Sequence, residues 1–576
     1  MIKAYSQNRS NVILNFSVYY CKTPQELIKS EGFKKVLKKY ISTLENKDAL
    51  LLEHLNSVCK ERDFTKTILE LFKLLLVLDT SEISKLNKEF KLIFNQHSDL
   101  LRFVEGFYNY WRHLERYALI QSKSSAEGIN DIDFIEANND FSSLVSKIYR
   151  LYIRKLLGHH ENVYRQLNAG INAGLVLTEY DNLLPEAYKS ITGVQFIKSI
   201  VFTPPFIVYP KSNTRSGIFE EIYSNPLIDL KMKASHYFCY PAMVGESLTF
   251  VYFHRDFMNH GVSLSNLFKL AEPHEYLGKK PDLIYVFGGK KSKGIKETVF
   301  FQDKPNDIFV GFVSNIEEVD YFGYMKKMIL TLHNVRMIEK GLLPVHGAMV
   351  NVTLKNGVEA NIVIIGDSGA GKSESLEAFR KLSKKYLKEL KIIFDDMGTL
   401  AIENNKVVGW GTEIGAFVRL DDLEGGYVFN EMDRAIIMNP NKINARLIIP
   451  IASYEDIINK YEVDMVLYAN NFEDPKQTLV MFDDAEAAKK VFVKGLRKAK
   501  GTTTEKGIVE SYFANPFGPV QRKEQTDIII DSIFEKLFKD NIDVGQIYTK
   551  LGIEGCEQSG PKKAAIKLFD WLKTKK

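Results

Sequence analysis

The spacing of hydrophobic residues changes along the chain and divides it into regions of different predicted structure. In residues 1–160, leucine, isoleucine and phenylalanine recur every three or four positions between lysines and glutamates, which predicts helices. From 190 to 320, short runs of β-branched and aromatic residues alternate with proline, glycine and asparagine, which predicts a mixed α/β domain. Residues 321–525 combine strand-like apolar runs with turns and helices, and residues 526–576 return to a helical pattern.

The helical region carries no recognisable chemistry. Apolar stripes at helical spacing usually form a core, so residues 1–160 are expected to be a scaffold, or a surface for a protein partner or a second copy of the chain. The 576 residues are enough for about two to four domains. The expected fold class is α/β, of the mixed α+β kind, with a helical extension at the N-terminus.

Composition and charge exclude several classes of protein. A hydrophobic content of 45% and a charged content of 26% are ordinary for a globular chain, and a net charge of +5 gives no electrostatic footprint for nucleic acid. The four cysteines lie far apart without a C-x-x-C pair, which predicts neither a zinc site nor a disulfide framework. The first residues lack the apolar core of a secretory signal, and the most apolar run, 68–78, is shorter than the roughly 20 residues that span a membrane. We therefore expect a cytoplasmic protein with no membrane segment.

A glycine-rich turn between an apolar run and a helical pattern carries the strongest motif. Residues 362–379 read IVIIGDSGAGKSESLEAF and fit the phosphate-loop pattern G-x-x-x-x-G-K-[ST]. In such a loop several backbone N–H groups point at one phosphate, and the following helix aims its positive end at the same anion. Lys372 would reach the β- and γ-phosphates, and Ser373 would ligate the divalent metal. The predicted nucleotide-binding residues are Gly366, Asp367, Ser368, Gly369, Ala370, Gly371, Lys372, Ser373 and Glu374.

Three other segments place polar side chains at the ends of apolar runs or inside them. Asp395 and Asp396 end the run KIIFDD, and a carboxylate in that position beside a phosphate loop is where nucleotide-using enzymes hold their metal. His346 stands at the entry of a predicted strand. Arg446 lies within the apolar run of INARLIIPI and needs an anionic partner. Each residue also has a structural explanation: a solvated turn, a hydrogen bond to a carbonyl, or a pair with a structural aspartate.

In this order, the segments resemble the phosphoenolpyruvate carboxykinase family, and its ATP-dependent branch most. YFGYMKK, with Tyr321, Lys326 and Lys327, is similar to the family's tyrosine-glycine-x-x-methionine-lysine-lysine segment, and His346 follows the second lysine by nineteen residues, as in the family. The Asp-Asp pair and residues 444–451 resemble the family's metal motif and arginine segment. The resemblance covers about residues 320–520, and GLRKAKGTTTEKG at 495–507 resembles the nucleotide segment only loosely.

The resemblance implies a phosphate-loop core of the phosphoenolpyruvate carboxykinase type. It implies the interconversion of oxaloacetate and ATP with phosphoenolpyruvate, ADP and CO₂, with Mg²⁺ bound to ATP and Mn²⁺ as a second metal. The catalytic residues that it implies are Lys372, Arg446, Lys327, Asp395 and Asp396. The implied metal ligands are Lys327, His346, Ser373 and Asp396, and the implied binding residues for a small carboxylate substrate are Tyr321, Arg446 and Arg215.

Departures from the family pattern keep two alternatives open. The loop GDSGAGKSE, with Asp367 and Glu374, looks more like the HPr kinase/phosphorylases, which share the core fold. Tyr324 stands where the family has glutamate, and no R-S-P-K-D segment occurs, so Arg215 in KSNTRSGIF is the candidate for carboxylate binding. One alternative is a kinase of the HPr kinase type acting on a hydroxyl of a small molecule or protein. The other is a nucleotide-sensing regulatory protein that recruits a partner through residues 1–160. The same loop could accept ATP, GTP or pyrophosphate.

Overall fold

The computed structural model describes most of the chain. The described residues are 3–57, 59, 63–122, 134–159, 167–180, 184–228, 230–290, 296–382, 387–420, 423, 427–499 and 506–575. Part of the predicted nucleotide segment at 495–507, namely 500–505, lies outside them. Helices and large mixed sheets alternate throughout, so the fold is mixed α/β. Within the described parts of the chain, no helix is long and apolar enough to cross a membrane.

The chain folds into two compact units. The first unit contains Met1–Thr178 and Ile197–Thr203, and the second contains Glu179–Phe196 and Pro204–Lys576. The backbone therefore leaves the first unit, returns to it for a few residues, and then stays in the second. The regions predicted at 321–525 and 526–576 belong to this second unit together, as does all of 190–320 except Ile197–Thr203.

Helices form most of the first unit. Ser30 begins the second of them by accepting a hydrogen bond from the Phe33 N–H at 3.1 Å. The buried residues of that helix recur every three or four positions: Val36, Leu37, Tyr40, Ile41 and Leu44. All of them except Val36 pack in the main core of the unit. The helix bounds are α1 Pro24–Lys29, α2 Glu31–Lys47, α3 Ala49–Asn56, α4 Phe64–Leu75, α5 Thr80–Leu86, α6 Lys88–Asn95, α7 His97–His113 and α8 Phe134–Leu157.

A sheet completes the first unit and corrects the purely helical prediction for residues 1–160. Its strands, in spatial order, are β1 Tyr5–Asn8, β2 Asn11–Asn15, β3 Glu115–Gln121, β4 Ala173–Thr178 and, from residue 197, β5 Gln195–Phe202. β1 and β2 pair antiparallel, whereas β2, β3 and β4 are parallel. β3 is buried along almost its whole length, and a short, fully buried strand shows no alternation that distinguishes it from a helical segment.

The second unit contains several sheets. Its strands are β6 Phe206–Val208, β7 Glu220–Ile222, β8 Tyr237–Val244, β9 Ser247–His254, β10 Lys269–Leu270, β11 Leu283–Gly289, β12 Thr298–Asp303, β13 Ile308–Ser314, β14 Leu343–Leu354, β15 Glu359–Ile365, β16 Leu387–Glu403, β17 Lys406–Gly411, β18 Gly415–Arg419, β19 Ile436–Met438, β20 Arg446–Pro450, β21 Tyr461–Glu462, β22 Met465–Asn470, β23 Leu479–Met481, β24 Leu496–Lys498, β25 Ile508–Glu510 and β26 Asp543–Tyr548. Its helices are α9 Met258–Ser263, α10 Pro273–Tyr276, α11 Phe322–Glu339, α12 Lys372–Leu382, α13 Tyr427–Asn430, α14 Tyr454–Ile458, α15 Ala485–Lys494, α16 Lys523–Lys539 and α17 Ser559–Thr574. Thus β26 interrupts the tail at 526–576, for which only helix was predicted.

One sheet of the second unit carries the predicted chemistry. Its strands run in the order β21-β17-β16-β14-β15-β22-β26-β23. Alternate residues of β15 face opposite sides: Val363 and Ile365 pack in the core with α15 and α16, while Ile362 and Ile364 pack in the core with α12 and α17. Apolar cores therefore cover both faces, and the polar side chains of the site emerge at strand ends.

Two further sheets and one two-stranded pairing belong to the second unit. β8, β9, β11, β13, β12 and β7 are neighbours in that order, and the first residues of β5 pair with β8. A separate sheet has the order β18-β20-β19-β6, and β24 pairs with β25. In the β18-β20 ladder, Arg419 lies directly opposite Arg446.

Candidate active site

The glycine-rich segment joins a strand to a helix in the order that the motif requires. β15 ends at Ile365 and α12 begins at Lys372. Gly369 and Gly371 have positive φ values of 78° and 89°, which residues with a side chain rarely adopt. The buried Lys372 Nζ donates to the carbonyl oxygens of Gly366 at 2.7 Å and Asp367 at 3.1 Å. Its charge therefore lies across the loop, where a phosphate would compete for it.

Residues that the sequence did not single out hold this loop from outside. Asn471 donates to the Gly369 carbonyl at 2.9 Å, and Thr549 donates to the Ala370 carbonyl at 2.7 Å. A Cβ on Gly371 would lie 2.5 Å from the Thr549 hydroxyl, so glycine is also needed there for space. These contacts come from the residues that directly follow β22 and β26, so no local pattern could have indicated them.

The two aspartates lie on β16, opposite the strand that carries the histidine. β14 pairs with β16 so that Gly347 faces Asp396 and Ala348 faces Asp395. Ser373, in the first turn of α12, donates its hydroxyl to Asp395 Oδ1 at 2.9 Å. Burial raises the pKa of Asp395. The predicted metal ligand Ser373 is therefore in direct contact with Asp395, one of the predicted catalytic residues.

Asp396 is the centre of a cluster of cationic groups. Lys327 Nζ lies 2.8 and 2.9 Å from its two oxygens, Lys326 Nζ lies at 2.5 Å, and His346 Nε2 lies at 2.8 Å. Burial alone would raise the pKa of Asp396, but the charges of Lys326 and Lys327 and the His346 contact hold it well below its usual range. Its φ of 142° is rare for a residue with a side chain, and such strain often accompanies a functional site.

The two lysines are not equivalent. Lys326 Nζ also lies 2.8 Å from Glu413 Oε1, and both side chains are 1% exposed. Burial would lower the pKa of Lys326, but Asp396 and Glu413 raise it, so this lysine stays charged. Burial lowers the pKa of Lys327, and the neighbouring charge of Lys326 adds to the effect. Burial raises the pKa of Glu413, against the opposing charge of Lys326.

The histidine contacts define its protonation. His346 Nδ1 lies 3.1 Å from the Ala514 carbonyl oxygen, which can only accept, so Nδ1 carries a hydrogen. Burial lowers the pKa of His346, which favours the neutral ring. A neutral ring then directs the Nε2 lone pair at a carboxylate oxygen of Asp396. Two acceptors at 2.8 Å need a cation between them, either a second proton or a metal ion.

These residues fit a divalent metal such as Mn²⁺ in donor chemistry. Lys327 Nζ and His346 Nε2 both lie against Asp396, and a nitrogen, nitrogen and oxygen donor set suits a first-row divalent ion. Lysine ligates only as the neutral amine, and its lowered pKa moves it in that direction. In the described parts of the chain, His, Cys, Asp and Glu side chains alone form no group of three or more that could hold a metal, so the lysine is necessary to the set.

Two phenylalanine rings contact the cationic side chains that are predicted for the site. The Phe517 ring lies 4.6 Å from Lys327 Nζ and 5.1 Å from the Arg215 guanidinium, and its centre is 6.2 Å from the His346 ring. The Arg215 guanidinium also lies 5.4 Å from the Phe219 ring. Such cation–π contacts fix the position of a cationic side chain without neutralising its charge. Arg215 and Lys327, widely separated in the chain, thus share one ring.

The second ring, Phe417, gathers the other predicted substrate residues. Arg446 lies 5.2 Å and Lys326 lies 5.9 Å from its centre, and the Tyr321 ring lies 6.0 Å away. Within the residues that the structure describes, Arg446 Nε is buried and has no hydrogen-bond partner. A buried donor of this kind is normally satisfied by a ligand or water. Neither phenylalanine could be selected from sequence, where both look like core residues.

Tyr324 connects the Arg215 segment to α11. Its hydroxyl accepts a hydrogen bond from the Ser216 N–H at 3.3 Å. This residue stands where the resembled family has glutamate, and here it anchors the backbone next to Arg215. Glu374, the last residue of the predicted loop, lies in the first turn of α12, where a carboxylate is favourable to the helix dipole.

A cavity of about 520 Å³ lies in the first unit. Its lining is mainly aromatic and aliphatic and includes Tyr5, Phe16, Phe107, Trp111 and Tyr152. All lining residues belong to the first unit, so none of the predicted site residues lines it. The cavity and the predicted chemistry therefore belong to different units of the chain.

Comparison with models of known protein families gives no match for this sequence. Comparison with curated protein sequences gives no significant match either.

Proposed function

We propose that the second unit is an ATP-dependent enzyme of the phosphoenolpyruvate carboxykinase type, interconverting oxaloacetate and ATP with phosphoenolpyruvate, ADP and CO₂. The observation that carries the proposal is the meeting of Lys327 Nζ and His346 Nε2 on one carboxylate, that of Asp396. A lysine with lowered pKa in a metal-ligand position is an unusual demand, and a simple kinase has no evident need for it.

The nucleotide part of the proposal rests on the glycine-rich loop. Lys372 would neutralise charge on the transferring phosphoryl group, and Ser373 with Asp395 would hold the Mg²⁺ of ATP. Lys327, His346 and Asp396 would hold Mn²⁺, which supplies a Lewis acid for the enolate oxygen of the substrate. Asp395 and Asp396 are adjacent on β16, which supports two metals in neighbouring positions.

The substrate part rests on the cations around the two rings. Arg215 and Arg446 would bind the carboxylates of oxaloacetate, because planar guanidinium groups match carboxylate geometry. Tyr321 would line the same pocket, since its ring lies against Phe417 beside Arg446. The positively charged set would also attract the phosphoryl group and stabilise the charge that develops during transfer.

A coupled assay tests the proposal. Purified protein is mixed with phosphoenolpyruvate, bicarbonate, ADP, Mg²⁺ and Mn²⁺, and oxaloacetate is reduced by malate dehydrogenase while NADH is followed. We expect oxaloacetate to form only with ADP and to be lost in Lys327→Met, because the neutral amine ligand is gone. Lys340→Met, at the exposed end of the same helix, is the matched control and should keep activity.

The result also decides between donors. Replacing ADP by GDP or by phosphate tests the other nucleotide and the pyrophosphate reaction with the same detection. Oxaloacetate formation that persists in Lys327→Met would contradict the second-metal site. Absence of oxaloacetate in wild-type protein that binds ATP would contradict the carboxykinase proposal altogether.

A kinase of the HPr kinase type is the second candidate. The acidic residues Asp367 and Glu374 within the loop favour it, since the resembled carboxykinase loop lacks them. This candidate predicts ATP-dependent phosphorylation of a hydroxyl with no dependence on Lys327. Transfer of ³²P from ATP to a small-molecule or protein acceptor, unchanged in Lys327→Met, would favour it over the carboxykinase.

A further inference from the structure

Asp367 belongs to the phosphate loop by sequence, but its carboxylate contacts Arg497 and His346. Oδ2 accepts a hydrogen bond from Arg497 Nε at 2.8 Å, and Oδ1 accepts one from the Ser368 N–H at 2.6 Å. Oδ1 also lies 3.3 Å from His346 Nδ1. The residue is 6% exposed, and Arg497 is 3% exposed. The carboxylate is therefore fixed on the outside of the loop, between a buried arginine and the histidine.

The imidazole of His346 thus lies between two carboxylates. Asp396 is 2.8 Å from Nε2, and Asp367 is 3.3 Å from Nδ1, beside the Ala514 carbonyl at 3.1 Å. A histidine that ligates a metal through one nitrogen commonly donates its other N–H to a carboxylate or carbonyl, which fixes the ring and increases its basicity. Here the Ala514 carbonyl accepts the N–H, and the Asp367 carboxylate lies 3.3 Å from the same nitrogen.

We infer that Asp367 is a positioning residue for His346, which it orients and polarises toward a divalent cation at Asp396, and is not a ligand of the nucleotide. The inference rests on the proposed function, because it needs the second metal. This inference also assigns a second role to the loop. The same backbone turn that receives the phosphate supplies the carboxylate behind the metal-binding histidine, so the positions of the two metals are coupled through one residue.

Electrostatic attraction also supports a positioning role for Asp367. A negative charge that is buried close to the imidazole attracts a cation at Nε2 more strongly than a neutral amide would. Arg497 already neutralises part of that charge, so the residue can stay ionised in a buried place. An amide at position 367 keeps only one acceptor oxygen, for either the Ser368 N–H or Arg497 Nε, and it would contribute no charge to the histidine.

The test is Mn²⁺ binding by full-length protein without nucleotide, followed by the electron paramagnetic resonance signal of free Mn²⁺. Asp367→Asn should weaken Mn²⁺ binding about tenfold or more, the usual effect of losing such an outer partner. Binding of a fluorescent ATP analogue with Mg²⁺ should change by less than about twofold. Asp474→Asn is the matched control, because Asp474 is a 62%-exposed carboxylate of the same unit paired with Lys550, and it should leave both affinities unchanged.

Each outcome is decisive. Unchanged Mn²⁺ affinity in Asp367→Asn overturns the inference while leaving the proposed function intact. Weaker ATP binding with unchanged Mn²⁺ affinity overturns it in favour of a nucleotide role. Absence of Mn²⁺ binding in wild-type protein overturns the proposed metal site and the inference together. If Asp367→Asn alone does not fold, Asp367→Asn/Arg497→Met removes both buried charges and should show the same loss of Mn²⁺ affinity.

Discussion

His333 gives the helix that carries the two lysines a defined sensitivity to acid. Its ring is buried, with Nδ1 3.3 Å from Asn334 Oδ1, and burial lowers the pKa of His333 from 6.5 to about 4. Above pH 6.5 the ring is neutral in both the folded and the unfolded chain, so its titration does not change the free energy of unfolding. Below that value the unfolded chain binds the proton first, so stability falls until the folded pKa is reached. The full difference corresponds to about 3 kcal/mol, of which about 2 kcal/mol is lost by pH 5.

The perturbation is His333→Gln, which keeps a polar side chain of similar reach but cannot titrate. Urea unfolding is measured at pH 7.5 and pH 5 in a Trp111→Phe background, so that emission comes from the tryptophans of the second unit, Trp410 and Trp571. The free energy of unfolding of the parent should fall between the two pH values by about 2 kcal/mol more than that of His333→Gln. The variant can be less stable at both values without affecting this difference.

His274→Gln is the control. The His274 side chain is 73% exposed in the folded protein, so unfolding changes its surroundings little. It should follow the parent at both pH values. Parallel losses of stability in the parent and in His333→Gln would refute the reasoning, since the buried ring would then titrate as in the unfolded chain. Histidine ring resonances followed by NMR should include one that does not titrate above about pH 5 and that is absent in His333→Gln.

Three further changes have defined outcomes. Lys372→Ala should abolish phosphoryl transfer in the coupled assay because the charge across the loop is lost, and wild-type turnover would contradict the loop assignment. Lys326→Met should lower the free energy of urea unfolding by about 3 kcal/mol, because Glu413 stays buried without its partner. Lys326→Met/Glu413→Gln should recover most of that loss. A double variant as unstable as the single variant would refute the buried ion pair between Lys326 and Glu413. Gly347→Ala brings a Cβ to 2.5 Å from the Ile364 carbonyl oxygen, and the overpacking should cost about 1–3 kcal/mol and lower the thermal midpoint; an unchanged midpoint would mean that the strands separate freely.

The elements that the sequence indicated best are those with strong local patterns. The strand, glycine turn and helix around residues 359–382 follow from a run of apolar residues, a motif with fixed spacing and a helical pattern. The resemblance indicates Asp396, His346 and Lys327, and the structure brings Lys327 Nζ and His346 Nε2 within hydrogen-bond distance of Asp396. The contact between His346 and Asp396 depends on the register of β14 against β16, which no local pattern contains.

The residues that were missed act through tertiary contacts. Glu413 looks like an ordinary polar residue after a strand, and only the buried position of Lys326 gives it a role. Phe417 and Phe517 are apolar side chains whose significance lies in the cations placed over them. β3 was missed because a strand that is buried on both faces has no alternation. In each case the information lies between elements and not within one.

The path of the backbone between the two units has a consequence for how such a protein can arise and be dissected. Because Ile197–Thr203 belongs to the first unit while the residues on both sides belong to the second, no single cut separates the units. A gene fragment ending at 178 omits a strand of the first unit, and one starting at 179 carries that strand without β4, its neighbour in the first unit. Recombination that exchanges the first unit for another would need to replace two segments at once, so the two units are expected to be inherited together.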